Sequence, residues 1–440
     1  HFNLSLSLFL TVSKFKEAMS LLFNGRSIHG KERLPAPFIF VTVFLTLYSV
    51  APVAAASALH TRTYEVCGVG GNEEAKLCHH HPASTNATRS GTSMLYQHLG
   101  RSGLVVSRLS YGAWISFGLQ LNTDQAYKIM KFCIGVGINF FDNAEAYANG
   151  KAETIMGEAL QRIWKETNTE RDDLVISTKL FFGTKRPLYK VNRIGLGRKH
   201  IIGGMKASLK RLQLDHVDVV FAHRYDPHTP MEEIVRAFNF LIDKGYAHYW
   251  CTSEWSAANI EEAMLVAKGL GLIPPICEQP QYNLLHRDRF EVEYKPLYEK
   301  YGLGTTTWST LASGVLTGKY NDGIPEGSRL GLKSLSSFKH LFTSGQRHGD
   351  WSSVIVKVRN LQSIADQMKC TLPQLALAWA LKNNKVSTVI MGGTKIAQLE
   401  ENVASIQCMS RLDDGLMGKI EAALENAPKE ERDWKTHRRL

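Results

Sequence analysis

Short apolar runs alternate with amphipathic stretches along most of the chain from residue 94 onward. Short apolar runs between turn residues are typical of buried strands, and apolar positions repeating every three to four residues are typical of helices. The predicted strands are Leu109–Trp114, Gly137–Asp142, Leu174–Lys179, Val217–His223, Ala247–Thr252, Ile276–Gln279, Leu303–Trp308 and Val386–Met391. The predicted helices are Thr123–Gly135 and Ser256–Gly269, each with its first residue as N-cap, and Glu153–Trp164, His200–Leu212, Met231–Lys244, Phe290–Tyr301, Ser353–Met368, Leu372–Asn383 and Lys395–Ile406.

Strict alternation of strands and helices predicts a parallel sheet with helices outside it. Eight such units over roughly 300 residues fit a closed (β/α)8 TIM barrel. A doubly wound open sheet is the alternative, but it usually carries a Gly-rich G-x-G-x-x-G fingerprint, which this sequence lacks. A short β-hairpin is predicted before the barrel, from Met94 to Arg108. The long, irregular connection after the seventh strand, Gly314–Asp350, is typical of a lid or binding loop.

The N-terminal 93 residues differ from the rest of the chain. Residues 38–58 are apolar and uncharged, and a run of about 20 such residues suits a membrane span or a signal core. The chain begins with His1 rather than Met, which fits translated non-coding sequence equally well. Residues 60–93 are rich in Gly, Ser, Thr and His and are predicted to be disordered. We therefore expect an extension at 1–93, a barrel at 94–427 and a charged tail at 428–440.

The composition of the chain is that of a globular protein with a sizeable core, with 44% hydrophobic and 21% charged residues among 440. The formal net charge is +11, yet basic residues are scattered except at Lys435–Arg439, and no nucleic-acid-binding motif is present. No nucleic-acid partner is predicted, and an anionic cofactor would use part of the charge. No metal site is predicted either, since the Cys78–His81 tract resembles a low-complexity accident. The seven cysteines are dispersed and odd in number, which argues against a disulfide framework and for a reducing compartment.

Polar residues end three successive predicted strands. Asp142, Lys179 and His223 end the second, third and fourth strands, and Tyr147 lies in the loop after the second. In such barrels the active site forms at the C-terminal ends of the strands. A lysine cation favours the phenolate and lowers the pKa of a nearby tyrosine, and a histidine can donate to a substrate carbonyl. A buried Asp–Lys pair can instead be structural, but the joint placement favours catalysis.

In these and other stretches the sequence resembles the aldo-keto reductase superfamily. The matching stretches are GINFFDNAEAYANGKAE (137–153), VISTK (175–179), SLKRLQLDHVDVVFAHRYDP (208–227) and QLEENVASI (398–406). Within the superfamily it is most similar to the β subunits of voltage-gated potassium channels and their plant and microbial relatives. That closer resemblance is carried by MLYQHLGRSGLVVSRLSYGAW (94–114), TPMEEIVRAFNFLIDKGYAHYW (229–250), TSEWS (252–256), PPICEQPQYN (274–283) and SGVLTGKYNDGIPEGSRL (313–330).

The resemblance covers about residues 94–427 and implies reduction of a small carbonyl substrate with NADPH, which becomes NADP⁺. It implies a catalytic tetrad of Asp142, Tyr147, Lys179 and His223. It also implies nicotinamide contacts at Trp114, Gln120, Asp142, Ser253, Glu254 and Gln279, and pyrophosphate contacts at Trp308, Ser309, Thr310, Leu311 and Ala312. Phosphate contacts are implied at Lys319 and Arg329, and adenosine contacts at Gly392, Thr394, Gln398, Glu401 and Asn402. Without the resemblance, Lys319 and Arg329 read equally well as solvated loop charges.

Two functions stay open from the sequence. The first is a working aldehyde or ketone reductase, favoured by His223, since animal channel β subunits often carry asparagine there. The second is a cytoplasmic regulatory partner of a potassium channel α subunit that senses the cofactor redox state and forms a homo-tetramer. A third possibility, a barrel with a purely structural role, would require the grouping of the four tetrad residues to be a coincidence. Departures from the family pattern at Ala113, Cys251 and Thr310 do not touch the tetrad.

Overall fold

The computed structural model describes residues 93–184, 191–331, 340, 343 and 350–429. The chain divides into two units, 1–78 and 79–440, and every described residue belongs to the second. The apolar stretch 38–58, the Cys78–His81 tract and residues 430–440 of the predicted tail lie outside the described residues. Within the described residues, none of the helices combines the length and the apolar character that a membrane crossing needs.

Eight parallel strands close into a barrel, as the alternation predicted. A hairpin of two antiparallel strands, β1 (Tyr96–His98) and β2 (Val105–Ser107), precedes it. The barrel strands are β3 (Leu109–Gly112), β4 (Phe140–Asp142), β5 (Val175–Leu180), β6 (Val217–Ala222), β7 (Ala247–Ser253), β8 (Cys277–Gln279), β9 (Gly304–Thr307) and β10 (Thr388–Met391). They pair in chain order, and β10 closes the barrel against β3. The (β/α)8 prediction and the predicted hairpin are confirmed.

The hairpin covers the N-terminal end of the barrel. Leu99 and Val106 are completely buried and pack with Phe140, the first residue of β4, in a small apolar cluster inside the barrel. Gly100 and Gly304 approach so closely that a Cβ on Gly100 would lie 2.4 Å from the backbone nitrogen of Gly304. Only glycine fits this contact, so the end opposite the predicted active site is closed by tight packing.

The helices pack against the outside of the barrel and bury the main hydrophobic core there. They are α1 (Thr123–Gly135), α2 (Lys151–Glu166), α3 (Arg198–Leu212), α4 (Met231–Asp243), α5 (Ala257–Gly269), α6 (Lys295–Tyr301), α7 (Trp351–Gln367), α8 (Leu372–Lys382), α9 (Ile396–Val403), α10 (Ser405–Met409) and α11 (Asp414–Leu424). A representative contact is Phe238 of α4 stacked on Trp250 of β7, with ring centroids 5.0 Å apart. Such contacts orient each strand and thereby aim the residues at its end.

Capping residues explain where several helices begin. Ser256 accepts a hydrogen bond from the backbone N–H of Asn259, so the predicted cap of α5 is confirmed. The predicted cap of α1 is wrong by one residue, because Asn122 accepts from Gln125 and the Gln125 side chain accepts in return. Thr123 is thereby the first residue of the helix, because the reciprocal capping box satisfies two backbone donors at once.

Three helix predictions need correction. The predicted helix Phe290–Tyr301 is a π-turn at Arg289–Glu293 followed by α6, because Pro296 has no N–H and suits only a new helix start. The predicted helix Lys395–Ile406 is two shorter helices, α9 and α10, separated by Ala404. Helix α11 was missed, although the Asp413 side chain caps it. Its Gly415 and Gly418 weaken the helical pattern in the sequence.

Two further expectations are corrected. The second barrel strand begins at Phe140 rather than Gly137, because Gly137 has a φ of 89° and completes the turn after α1. Cys370 and Cys408 are joined in a disulfide, whereas the number and dispersal of the cysteines argued against a disulfide framework. Distance along the sequence hid this pair, since β10 and α9 lie between the two cysteines.

The connection after β9 is irregular in its described part, as predicted. It forms two short 3₁₀ turns, Ala312–Thr317 and Arg329–Gly331, and α7 begins at Trp351. The loop therefore leaves the barrel at the same end as Asp142 and the other predicted tetrad residues.

Candidate active site

The four predicted tetrad residues meet at the C-terminal end of the barrel. Asp142 is the last residue of β4, Lys179 lies near the end of β5, and His223 directly follows β6. Tyr147 begins the 3₁₀ turn that follows β4. Lys179 and Asp142 are buried, and His223 is 7% exposed. Neighbouring strands thus bring together residues that are up to 81 positions apart in the chain.

Lys179 is the centre of the cluster. Its ammonium forms an ion pair with the Asp142 carboxylate and donates to the backbone oxygen of Asn143 at 2.8 Å. It also donates to the Tyr147 hydroxyl oxygen at 3.0 Å. All three donors of the ammonium are therefore used, which fixes the position of the Tyr147 oxygen.

Asp142 is held by neutral donors on its other oxygen. Ser177 Oγ donates to Oδ1 at 2.8 Å, and Gln279 Nε2 donates to the same oxygen at 3.2 Å. The Gln279 amide lies 3.2 Å from the Thr306 hydroxyl as well. The sequence analysis did not predict that Ser177, Asn143 and Thr306 contribute to this hydrogen-bond network. Ser177 could have been found, because it lies two residues before Lys179 and therefore faces the same side of β5.

The pKa of Tyr147 is raised well above its ordinary value of 10.0, mainly by burial and then by the Asp142 carboxylate, while Arg224 lowers it. The net direction of this pKa is therefore opposite to the lowering that was expected from the neighbouring Lys179. The physical reason is that Asp142 offsets the charge of Lys179, so burial dominates. The Tyr147 hydroxyl is consequently protonated at neutral pH.

His223 faces Tyr147 across the site. The two rings meet edge to face with centroids 5.9 Å apart, and Phe182 packs on the other side of the histidine at 5.1 Å. Burial, followed by the charges of Lys179 and Arg224, lowers the pKa of His223 well below 6.5. Its Nδ1 is buried without a hydrogen-bond partner among the described residues. The ring is thus neutral and retains an unused polar atom.

Arg224 is a charged residue at this site that the sequence did not single out. Its guanidinium donates to the backbone oxygen of His223 and lies 3.4 Å from Ser253 Oγ. The same group lies over the Phe182 ring, 5.8 Å from its centroid. Its position immediately after His223 is the only sequence signal that could have found it. It places a cation beside the tetrad, which favours electron-rich groups there.

Glu254 organises the loops beside the predicted nicotinamide position. Its Oε1 accepts from Trp308 Nε1 at 2.8 Å and from the backbone N–H of Gln281 at 2.6 Å. The other carboxylate oxygen pairs with Arg289 at 3.3 Å. Trp308 also meets Trp114 edge to face, with centroids 5.9 Å apart. Three predicted cofactor residues are thereby joined in one cluster.

The loops around this cluster contain unusual backbone. Glu254, Ser309 and Ala312 have left-handed φ values of 59°, 61° and 45°. Non-glycine residues rarely adopt this conformation, and such strain collects at functional sites. Ser309 Oγ and Thr310 Oγ1 are buried without a hydrogen-bond partner in the described part of the chain. Unused buried hydroxyls beside strained backbone are what a polar ligand would satisfy.

Lys319 and Arg329 lie close to one another in the connection after β9. Partial burial lowers the pKa of Lys319, and the nearby Arg329 cation lowers it further. The Arg329 guanidinium lies 5.7 Å from the Trp114 ring centroid, and a Cβ on Gly392 would lie 3.8 Å from its Nη2. Neither cation forms an ion pair with a described residue. Two adjacent cations with unmatched charge fit a phosphate group.

The predicted adenosine residues occupy the loop and helix after β10. Gly392 and Thr394 precede α9, whose Gln398 side chain accepts from the backbone N–H of Thr394 at 3.0 Å. Glu401 and Asn402 lie in the last turn of α9. The amide of Thr394 is therefore engaged by Gln398 rather than open to an anion. Gln120, by contrast, is exposed just before α1, and Leu311 packs against the hydrophobic core.

Comparisons with known proteins identify a family and relatives of this chain. The family model described as the aldo/keto reductase family matches residues 108–425. A protein of Arabidopsis thaliana named probable voltage-gated potassium channel subunit beta is 50% identical over 337 residues, which cover 76% of this chain and 98% of that protein. A protein of the same name from Oryza sativa subsp. japonica is 50% identical over 338 residues, with the same coverage of each chain.

Proposed function

The chain belongs to the aldo/keto reductase family, and from this premise we propose that it reduces aldehydes and ketones with NADPH, with Tyr147 as the proton donor. Membership of the family makes it an oxidoreductase. The observation that carries the finer proposal is the hydrogen bond of 3.0 Å from Lys179 to the Tyr147 hydroxyl, within a buried ion pair with Asp142. If the ion pair of Lys179 and Asp142 were purely structural, the lysine would not need a tyrosine hydroxyl to accept its third hydrogen bond.

The residues around the tetrad perform the proton half of the reaction. Tyr147 holds its proton at neutral pH, because burial raises its pKa, and donates it to the carbonyl oxygen of the substrate. Lys179 stabilises the phenolate that remains through its hydrogen bond, and Asp142 holds the lysine in place. Neutral His223 orients the carbonyl oxygen by donating a hydrogen bond. When bound, NADPH supplies the hydride to the carbonyl carbon, so the product is an alcohol.

The described residues fit an anionic dinucleotide beside this tetrad. Trp114 and Trp308 flank the tetrad end, and the unpartnered hydroxyls of Ser309 and Thr310 lie along the loop after β9. Lys319 and Arg329 would hold phosphate groups. The adenosine end would lie against the residues after β10, namely Gly392, Thr394, Gln398, Glu401 and Asn402. We propose NADPH rather than NADH because two adjacent cations suit the additional 2′-phosphate.

Replacing Tyr147 by phenylalanine tests the proton donor. We expect kcat for carbonyl reduction to fall by about 10²–10⁴-fold, the usual contribution of a general acid, with little change in the Kd for NADPH. The matched control is Tyr127→Phe, which removes a phenol that donates to Glu166 at 2.7 Å outside the site. Unchanged turnover in the Tyr147→Phe variant would remove Tyr147 from the mechanism.

A second function, as a regulatory β subunit of a potassium channel, is favoured by one specific observation. Two relatives that carry the channel subunit name are 50% identical to this chain over 98% of their own length. We propose that this chain also forms a homo-tetramer that docks on the cytoplasmic part of a channel α subunit. Co-purification of both proteins, with light scattering to determine the subunit number, tests this role. A monomer that does not bind the α subunit would exclude it and leave the reductase proposal intact.

A further inference from the structure

Two histidines and an aspartate cluster at the N-terminal end of the barrel, away from the tetrad. His216 immediately precedes β6, Asp218 is the second residue of β6, and His248 is the second residue of the neighbouring strand β7. The tetrad residues Lys179 and His223 lie at the opposite, C-terminal ends of the strands. The cluster therefore takes no part in the chemistry proposed above.

One ligand atom from each of the three side chains converges on a common point. These atoms all lie within 4.8 Å of one another. His248 Nδ1 lies 3.6 Å from Asp218 Oδ1. The two imidazole rings of His216 and His248 lie 4.5 Å apart at their centroids. Two ligands bound to one tetrahedral zinc at about 2.0–2.1 Å are roughly 3.3 Å apart, so shifts of about 1 Å complete the site.

The aspartate is held in the orientation that a ligand needs. Asp218 Oδ2 accepts from Arg171 Nη2 at 2.8 Å and from the backbone N–H of Ile176 at 2.7 Å. These two donors occupy one carboxylate oxygen and leave Oδ1 directed towards His248. Partners of this kind fix metal-binding carboxylates in known sites. The Arg171 cation also opposes a second positive charge, so we expect moderate rather than very tight binding.

An ion can reach the cluster from solvent. The His248 side chain is 52% exposed, while that of Asp218 is 12% exposed. Among the described residues, the ring nitrogens of His216 make no hydrogen bond. The cluster thus combines an accessible imidazole, an uncommitted imidazole and a buried, oriented carboxylate.

We propose that His216, Asp218 and His248 form a binding site for Zn²⁺ that links β6 to β7 at the N-terminal end of the barrel. Two imidazoles and one carboxylate are the donor set that zinc prefers, whereas Mg²⁺ and Ca²⁺ favour oxygen ligands alone. Three protein ligands leave a further position for water. The bound ion stabilises the folded chain without altering the tetrad.

Calorimetric titration with Zn²⁺ tests the site in the full chain. The starting protein carries Cys78→Ser, His79→Ala, His80→Ala and His81→Ala, so that this cysteine- and histidine-rich tract cannot compete for zinc. We expect one Zn²⁺ per chain and a rise in melting temperature when zinc is added. In this background His216→Ala and His248→Ala should each weaken binding at least ten-fold, and His248→Cys should retain it. The control His98→Ala replaces an exposed histidine of β1 and should bind as the starting protein does.

Carbonyl reduction should be unchanged in the His216→Ala and His248→Ala variants, which separates this site from the proposed activity. The proposal would be overturned if the starting protein did not bind zinc, or if both histidine variants bound zinc as tightly as the starting protein does. Both histidine substitutions leave the Arg171–Asp218 pair intact, and a melting curve without zinc verifies that each variant is folded.

Discussion

The four predicted tetrad residues combine a buried ion pair with a partly buried phenol, and this environment influences the charge states of Tyr147 and His223. Burial alone disfavours every charged form, so Tyr147 keeps its proton and His223 stays neutral. Lys179 and Asp142 form a buried ion pair, in which each charge compensates the other. The sequence singled out three of these residues at strand ends and Tyr147 in the loop beside them, but it could not supply the balance between burial and charge. That balance reversed the expected direction of the Tyr147 pKa.

Because Lys179 and Asp142 depend on one another, replacing one of them should lower the free energy of unfolding more than replacing both. Lys179→Met leaves a buried carboxylate without its partner, which costs about 3–5 kcal/mol of unfolding free energy. Lys179→Met combined with Asp142→Asn should be distinctly less destabilised than Lys179→Met alone. Urea unfolding measures both. As a control, Arg236→Met breaks an exposed pair with Glu232 and should cost about 0.5 kcal/mol or less. A double variant that loses as much as the sum of both single variants would contradict the coupling.

The charge states of Tyr147 and His223 predict a flat pH profile. The donor form of Tyr147 is the protonated phenol, and a pKa raised above 10.0 retains it up to that pH. The neutral form of His223 persists above pH 6.5, because its pKa is lowered below that value. We expect kcat/KM for carbonyl reduction to vary by about two-fold or less between pH 7 and 9. A falling limb with an apparent pKa inside this range would show that the tyrosine titrates there.

The bounds of strands and helices could be predicted from the sequence where a single local signal, such as a capping residue, was sufficient. Ser256 capped α5 as predicted, since an N-cap serine and the apolar pattern after it agree. The predicted cap of α1, Thr123, was wrong by one residue, because the reciprocal hydrogen bonds with Gln125 are made by Asn122. Helix α11 was missed because its glycines conceal a helix that depends on tertiary packing. The length of the loop after β9 could be recognised in the sequence. The proximity of Lys319 and Arg329 within it could not, because it depends on how the loop folds.

The loop after β9 should determine the preference between cofactors. Arg329→Met removes one of two adjacent cations, and we expect the Kd for NADPH to rise about ten-fold or more, because a charge-assisted hydrogen bond contributes about 1.5–3 kcal/mol. The Kd for NADH should change less. Tryptophan fluorescence is a suitable measurement, since Arg329 lies over Trp114. Arg359→Met is the control, because Arg359 contacts the same loop at Asp322 outside the site. If Arg329→Met and Arg359→Met raised the Kd for NADPH equally, a specific contact between Arg329 and a phosphate would be contradicted.

Closure of the barrel explains how distant parts of the chain form one site. Strand β10 pairs with β3, so Gly392 and Thr394 are brought to the rim that also carries Trp114. The family resemblance and the alternation of elements predicted this arrangement. Neither predicted the Cys370–Cys408 disulfide, because a contact between residues separated by 38 positions is not encoded in any local pattern. This disulfide joins the start of α8 to α10 and encloses the segment that holds the proposed adenosine residues.

The disulfide should contribute to the stability of the whole barrel. Closing a loop of this length restricts the unfolded chain and stabilises the fold by about 3–4 kcal/mol in the chain-entropy description. Cys408→Ser should lower the unfolding free energy by that amount, measured with urea without reductant. Dithiothreitol should destabilise the unaltered protein similarly and leave a Cys370→Ser/Cys408→Ser double variant unaffected. Equal stability of the unaltered protein with and without reductant would contradict this contribution.

The central claim, a working reductase that uses NADPH, is tested most directly by one titration followed by one turnover assay. The full chain is titrated with NADPH and NADH by tryptophan fluorescence, and oxidation of NADPH is then followed with 4-nitrobenzaldehyde. We predict that NADPH binds at least ten-fold more tightly than NADH and is oxidised in the presence of the aldehyde. Tight binding without turnover would contradict the catalytic assignment and favour a cofactor-sensing channel subunit. Absence of NADPH binding would contradict the cofactor site as a whole.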